Sequence, residues 1–209
     1  MPTPQESAQL IVNKAITELS FPPSAALTGF LAQVLEWNST LGLVSRKDPP
    51  AACERLFCES LELGRHVDVG GVRRLADVGS GAGFPGLVWA VLFPRVNVVL
   101  IERRQKRALF LERTSRMVGA GNVIVLPDDL GHVSRETPPD RAFDLVTTVA
   151  VGDPARLAED VERMLLPGGR FASTVSRDTA LRTRLGAHLV LLDRTQGKFG
   201  CYAIYRRGV

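Results

Sequence analysis

A chain of 209 residues that is 45% apolar can bury one sizeable core, and 26 basic against 22 acidic residues leave a net charge of only +4, which excludes a disordered polyelectrolyte and permits, without demanding, contact with a polyanion. No apolar run approaches the roughly 20 residues that cross a bilayer, and the start, MPTPQESAQ, lacks the basic flank and apolar stretch of a secretion signal, so a cytoplasmic chain with no membrane association is expected. Three cysteines, Cys53, Cys58 and Cys201, are odd in number and lack paired zinc spacing, so buried reduced thiols and no metal centre are expected.

Residues 5–19 carry Leu10, Ile11, Ala15, Ile16 and Leu19 at helical spacing, and residues 23–37 repeat the pattern with Ala26, Leu27, Phe30, Leu31, Val34 and Leu35. A third helix starts at Asp48-Pro49-Pro50, with the aspartate as cap and the prolines in the first turn, and runs through Leu56, Phe57 and Leu61. Residues 1–70 therefore read as a helical N-terminal extension, and residues 71–209 as the main domain.

After Val69-Gly70-Gly71 short apolar runs alternate with helical ones. Strands are expected at Arg74 to Val78, Val96 to Ile101, Val123 to Leu126, Phe143 to Val149 and Arg170 to Val175, with helices at Pro85 to Phe93, Gln105 to Val118 and Pro154 to Leu165. Strands apolar throughout and separated by helices indicate a parallel sheet covered on both faces. The end differs: His188 to Asp193 and Cys201 to Tyr205 flank the turn-rich Thr195-Gln196-Gly197-Lys198 and read as a closing hairpin.

The stretch LADVGSGAGFPG, Leu75 to Gly86, joins the first strand to its helix. It lies at the carboxyl edge of a parallel sheet, where ligands bind and where bare backbone lets an anionic group approach N–H groups. Two ligands compete for it. Gly81-x-Gly83-x-x-Gly86, with Glu102 at the end of the next strand, fits a dinucleotide fingerprint. The frame Asp77-x-Gly79-x-Gly81-x-Gly83 instead suits S-adenosylmethionine, whose amino acid part offers an ammonium to Asp77 and a carboxylate to the loop. A pyrophosphate beside a buried Asp77 would suffer like-charge repulsion. Asp128 and Asp129 follow the third strand at the same edge, where a carboxylate can accept from an adenine amino group or simply cap a turn. Leu166-Pro167-Gly168-Gly169-Arg170 and the final hairpin add weight to the methyl-donor reading by analogy of pattern.

Asp77-Val78-Gly79-Ser80-Gly81-Ala82-Gly83-Phe84-Pro85-Gly86 resembles the signature of the bacterial 16S rRNA guanine-N7 methyltransferases, also called glucose-inhibited division protein B. Trp37-Asn38 with Leu43 and Asp48-Pro49, Arg55 with Glu59-Ser60, and Lys106-Arg107 with Phe110-Leu111 are similar to further segments of that family. The resemblance implies an α/β class I S-adenosylmethionine-dependent methyltransferase fold, a Rossmann-like, seven-stranded, mostly parallel sheet. It implies a cofactor site made by Asp77, Gly79, Ser80, Gly81, Gly83, Phe84, Glu102, Asp128 and Asp129, with Asp77 near the ammonium and Glu102 on the ribose. RNA contacts are expected from Arg55, Lys106 and Arg107. The partner implied is 16S ribosomal RNA or the small ribosomal subunit; the sequence leaves the oligomeric state open, with a monomer favoured.

Guanine N7 carries a free in-plane lone pair, so no general base and no catalytic acid or nucleophile is assigned; positioning and electrostatics carry the rate. The fourth strand, running Thr147-Thr148-Val149-Ala150-Val151-Gly152-Asp153, has neither the Asn/Asp-Pro-Pro device of amine methylation nor a nucleophilic cysteine. Departures from the family cluster on its substrate side. Thr148-Val149-Ala150 stands for Ser-Arg-Ala, Val175 for a lysine, Phe199 for an arginine, Leu56 for a histidine, and Asp129-Leu130-Gly131-His132 for R-[AVI]-E-[ED]. Arg177, Lys198, Arg206, Arg207 and the basic run Arg103, Arg104, Lys106, Arg107, Arg113 and Arg116 are candidate replacements. A diverged methyltransferase with another substrate and a noncatalytic RNA- or ribosome-binding relative that keeps the cofactor pocket are the alternatives.

Overall fold

Three helices lead the chain. α1 (Pro4–Leu19) opens on a capping box in which the Thr3 hydroxyl accepts from the Glu6 N–H and the Glu6 carboxylate accepts from the Thr3 N–H, satisfying donors that a helix start leaves free. α2 (Ala25–Leu41) is capped by Ser24 and ends at Gly42 in the left-handed region. α3 (Pro49–His66) starts at Asp48, whose Oδ1 accepts from the Ala51 N–H, with two prolines in the first turn where N–H groups go unused. The computed structural model describes residues 2–20, 22–138, 142–149, 152–179 and 181–208.

The remainder alternates β1 (Arg74–Val78), α4 (Gly86–Leu92), β2 (Asn97–Ile101), α5 (Gln105–Met117), β3 (Val123–Leu126), α6 (Leu130–Glu136), β4 (Phe143–Thr148), α7 (Ala158–Met164) and β5 (Leu165–Thr174), and closes with β6 (Arg184–Leu185), β7 (Leu189–Gln196) and β8 (Cys201–Arg207). They form one sheet of order β3-β2-β1-β4-β5-β8-β7-β6. The first five strands are parallel, and β8, β7 and β6 join antiparallel. The chain winds from β1 outward to β3 and returns on the other side of β1 with β4. That reversal opens a crevice at the carboxyl ends of the central strands, where α/β sheets bind ligands.

The period of two along each strand sorts the core onto two faces. Leu75, Val98, Leu100, Leu145, Ala172, Tyr202 and Ile204 pack with residues of α1 to α5. Ala76, Val99, Ile101, Val146, Phe171, Ala203 and Tyr205 pack with Val133 of α6 and with Ala158, Val161 and Met164 of α7. The N-terminal helices expected as an appendage thus share a continuous apolar cluster with one face of the sheet. Trp89 of α4, fully buried, donates its indole N–H to the Ser60 carbonyl of α3 at 2.8 Å and ties the two layers.

Three differences from expectation have local causes. The sheet has eight strands rather than seven, because Arg184–Leu185 pairs with the start of β7. β5 begins at Leu165, not Arg170, because Leu165 pairs with Phe143 across a register shift and carries Pro167-Gly168-Gly169 within the strand. Helix α6 was not expected: it has seven residues, one of them glycine, and only Leu130 and Val133 to mark an apolar stripe. Cys53, Cys58 and Cys201 are buried free thiols, and burial pushes Cys53 and Cys58 up to about 12. Among the described residues no helix is long and apolar enough to cross a membrane.

Candidate functional site

A cavity of about 660 Å³ opens at the carboxyl ends of β1 and β2, within the size range of small-molecule sites. Val78, Gly79, Ser80, Gly81, Ala82 and Phe84 form one wall, and Ile101 with Glu102, Arg103, Arg104 and Arg107 another. Asp128, Asp129, Leu130 and Gly131 follow β3, Val149 follows β4, and Leu157 and Asp160 come from the start of α7. Leu43 and Leu56 reach it from the N-terminal helical part. Gly79, Ser80, Gly81, Phe84, Glu102, Asp128 and Asp129 therefore stand together.

Asp77 and Gly83 do not line this cavity. Asp77 is wholly inaccessible beneath the loop; its Oδ2 accepts the Gly86 N–H at 3.1 Å and its Oδ1 has no partner. Burial pushes this carboxyl up to about 7, with the Glu102 charge adding to the effect and the Gly86 amide and Ser80 opposing it. Asp77 braces the first turn of α4 rather than facing a ligand. Gly83, at φ +102°, is a packing position: a Cβ there would lie 3.1 Å from Leu87 Cβ and from the Phe30 ring. Phe30 and Phe84 meet with ring centroids 5.1 Å apart, so α2 presses on the underside of the loop.

The loop amides are less bare than the glycines suggest. Gly79 and Ser80 donate their N–H groups to the Ile101 carbonyl, Gly83 donates to the Ser80 carbonyl, and Gly81 donates to Glu102 Oε2 at 3.0 Å. Glu102 Oε1 accepts the Arg104 N–H at 2.8 Å. Glu102 is thus a bracket between the glycine loop and the start of α5, with lone pairs left for a third donor. The Ser80 hydroxyl donates to the Asp77 carbonyl.

Asp129 caps α6, accepting the His132 N–H, while Asp128 accepts the Asp129 N–H and meets His132 Nδ1 at 2.5 Å. The His132 contact holds the Asp128 carboxyl below its ordinary value and, in return, raises the imidazole. The turn and the carboxylate wall weighed as alternatives in the sequence are the same object.

Arg107 lies in the cavity wall, and its Nη2 donates to the Gly42 carbonyl at the end of α2. Burial lowers its pKa, as does neighbouring Arg104, against the pull of Glu102. Its place is a strut between the N-terminal helices and the loop. Lys106 is exposed on α5, outside this cavity. Arg55 sits in a second cavity of about 500 Å³, formed with Glu59, Val149, Gly152, Asp153, Pro154, Thr174, Val175, Ser176 and Thr179. Val149 belongs to both cavities, so the two adjoin.

Most candidate replacement cations lie elsewhere. Lys198 pairs with Glu18 at 2.9 Å and lies over the Phe199 ring. Arg206 is paired in register with Arg170, and Arg207 follows it, at the end of the parallel strands opposite the glycine loop. Arg113 stacks on Trp37 and Arg116 pairs with Glu112. Arg177 is exposed between Ser176 and Thr179 of the second cavity. Ala150 and Val151, expected to follow the fourth strand, lie outside the described residues.

A family model described as rRNA small subunit methyltransferase G matches residues 24–178. The ribosomal RNA small subunit methyltransferase G of Halorhodospira halophila is 35% identical over 152 residues, 73% of this chain and 69% of that protein. The proteins of that name from Xylella fastidiosa and Symbiobacterium thermophilum are each 36% identical, and the matches span 56% and 58% of their lengths. Among solved structures, a putative O-methyltransferase from Klebsiella pneumoniae superposes with a TM-score of 0.63 over 96% of this chain and 97% of that one, at 16% identity. A putative methyltransferase from Escherichia coli gives 0.59 over 72% of this chain and 86% of that one, also at 16% identity. At such identities the structures show the fold alone, that of class I methyltransferases.

Proposed function

We propose that this chain, which belongs to the rRNA small subunit methyltransferase G family, transfers a methyl group from S-adenosylmethionine to N7 of a guanine in 16S ribosomal RNA. The observation that carries the reading is the cavity where the glycine loop and Glu102 meet at the ends of β1 and β2. Its chemistry fits the methyl donor better than a dinucleotide. Glu102, Asp128, Asp129 and Asp160 stand in its wall beside Arg103, Arg104 and Arg107, and the four carboxylates offer acceptors to a ligand rich in hydroxyl and amino donors. In this reading Glu102 accepts from the ribose hydroxyls, Asp128 or Asp129 accepts from the adenine amino group, and Gly79, Ser80, Gly81 and Phe84 enclose the methionine part. Residues 1–70 act as an extension of the catalytic unit 71–209, closing its cavity with Leu43 and Leu56.

The donor supplies, when bound, a methyl on a cationic sulfur, which departs with the bonding pair as the N7 lone pair forms the new bond. No proton has to be removed from the guanine, so the chain's task is to hold the purine in line and to exclude water. The shared Val149 wall is an apolar place for that meeting. Arg55 and Arg177 beside the second cavity, with the exposed Lys106 of α5, supply the salt-sensitive hold on phosphates.

The test is transfer of labelled methyl to small ribosomal subunits from a strain lacking the family's enzyme, with the modified nucleotide mapped. Label at a guanine N7 supports the reading; its absence, from folded protein that binds the donor, removes the ribosomal substrate. Independently, Glu102→Ala is expected to weaken S-adenosylhomocysteine binding by about 1 to 3 kcal/mol, since a charged acceptor is lost and the Gly81 and Arg104 amides lose their bracket. Calorimetry reads this directly, and an unchanged affinity takes Glu102 out of the site.

A further inference from the structure

We infer that the second cavity seats the accepting base and that Glu59, on its wall, reads the N1–H and 2-amino edge of a guanine. The inference rests on the guanine methyltransferase reading and adds to it a specificity-determining residue. Glu59 lies on α3 facing the same cavity as Arg55, Asp153 and Thr174. Its side chain is only 9% exposed, whereas Arg55, four residues earlier, is 56% exposed. The Arg55 Nη1 donates to Glu59 Oε1 at 2.6 Å, and this is the side-chain hydrogen bond of Glu59 among the described residues. No described residue donates to its Oε2. Burial raises the Glu59 carboxyl, against the attraction of Arg55, and the charge of Glu62 adds to the rise.

An ordinary surface pair four residues apart on a helix contributes little to stability. Such a pair does not account for holding one carboxylate largely out of water at a cavity wall with acceptor capacity to spare. A planar ligand edge with two adjacent N–H donors meets that capacity. Guanine presents N1–H and an amino group side by side; adenine presents an acceptor at N1, uracil has one N–H between carbonyls, and cytosine has an acceptor at N3. Val149, Pro154 and Val175 give the cavity apolar surface for the faces of a ring, and the hydroxyls of Thr174, Ser176 and Thr179 give it polar groups. Val149, which lines both cavities, puts a base seated there beside the donor cavity.

The same contact helps the transfer. As N7 acquires the methyl group the purine becomes cationic, and its N1–H and amino group become stronger donors. Hydrogen bonds to the Glu59 carboxylate are then stronger in the transition state than in the bound ground state, which is the condition for raising kcat. Arg55 keeps the carboxylate oriented from the solvent side.

The test compares two fluorescein-labelled RNA pentamers, UUGUU and UUIUU, the second carrying inosine, which lacks the 2-amino group. Fluorescence anisotropy with saturating S-adenosylhomocysteine gives both affinities. The wild-type protein is expected to prefer guanosine by about fivefold or more, and Glu59→Gln to reduce the preference below about twofold. Wild-type protein that binds both alike, or binds neither, overturns the inference without relying on any variant. So does a Glu59→Gln protein that keeps the full preference. S-adenosylhomocysteine affinity checks the variant's fold, because Glu59 lies outside the first cavity. Methyl transfer to small subunits separates the two readings. Guanosine preference lost with Glu59 but no transfer keeps this base site and removes the ribosomal reaction; transfer with no guanosine preference does the reverse.

Discussion

Replacing Glu62 by alanine is expected to lower the unfolding free energy by about 3 to 5 kcal/mol, because one carboxylate serves several buried donors at once. Glu62 projects from α3 into the turn between β7 and β8. Its Oε1 accepts the Lys198 N–H at 2.7 Å, and its Oε2 accepts the Phe199 N–H at 3.0 Å, the Gly200 N–H at 3.2 Å and the Tyr202 hydroxyl at 2.7 Å. Truncation leaves these donors without their acceptor, each at a cost of about 1 to 3 kcal/mol where water cannot replace it. For a chain of this length the melting temperature should fall by on the order of 10 °C. Burial alone would raise the Glu62 carboxyl, but the Tyr202 hydroxyl and the amides of Phe199, Lys198 and Gly200 outweigh it and hold the value below the ordinary one. The sign follows from that direction. The contribution is fully present above the unfolded carboxyl value of about 4.3 and is lost as pH falls through the lower folded value. Urea unfolding at pH 7 and in mild acid should therefore show the wild type approaching the variant as pH drops. A deficit below about 1 kcal/mol at pH 7, or one that does not shrink in acid, would show that the turn finds other acceptors.

That turn shows how a sequence can point to a place and mislead about its use. In the resemblance, Phe199 stands where the family carries an arginine on the substrate side. In the fold, Gly197-Lys198-Phe199-Gly200 is bound to α3 through Glu62, and Lys198 pairs with Glu18 of α1. Nothing in the spacing of Glu62 announces the contact, since it joins residues more than 130 positions apart. Long-range side-chain pairing of this kind is invisible to local pattern. The parallel strands were legible because each is apolar on both faces, and β3 is found at Val123–Leu126, as its run of four apolar residues indicates. Helix α6 was not, because its seven residues include a glycine and only Leu130 and Val133 mark an apolar stripe, although Asp129 before Leu130-Gly131-His132 is the cap that starts it.

The candidate site was legible in its members more than in their roles. The loop residues, Glu102, Asp128 and Asp129 come together around one cavity. Asp77, read as a ligand group, is instead a brace, because a strand residue at the end of β1 alternates away from the cavity and the helix start above it needs an acceptor. Arg107, read as an RNA contact, is a strut to Gly42. Glu59 carried little signal of its own: as one acidic residue four after an arginine, it looks like a surface ion pair until burial and the second cavity set it apart.

The brace makes Gly86 the most constrained position of the loop, and Gly86→Ala is expected to destabilise the fold by about 3 kcal/mol and to weaken donor binding at least about tenfold. A glycine-to-alanine change inside a helix ordinarily stabilises by about 1 kcal/mol through propensity. Gly86 opens α4 and has no left-handed backbone to forbid a side chain, so the sign is decided by space. An added Cβ would lie 2.4 Å from Leu100 Cδ2, 2.6 Å from Asp77 Oδ2 and 2.8 Å from Asp77 Cβ. Leu100 and Asp77 belong to adjacent central strands in register with each other, so neither can retreat, and α4 must lift from the sheet. Lifting it stretches the 3.1 Å bond between the Gly86 amide and Asp77, leaving a buried carboxyl with both oxygens unpartnered. It also carries Phe84 and Ala82, which line the cavity, away from Glu102. Overpacking costs about 1 to 3 kcal/mol where a core can adjust and more where it cannot. Gly121→Ala is the matching control, because a Cβ there meets nothing within 4 Å and should change stability by no more than about 0.5 kcal/mol. Thermal melts and calorimetric titration with S-adenosylhomocysteine on both variants decide the matter. If Gly86→Ala melts no lower than Gly121→Ala, the close approach of α4 to β1 and β2 is wrong, and with it the account of Asp77 as the brace beneath the loop.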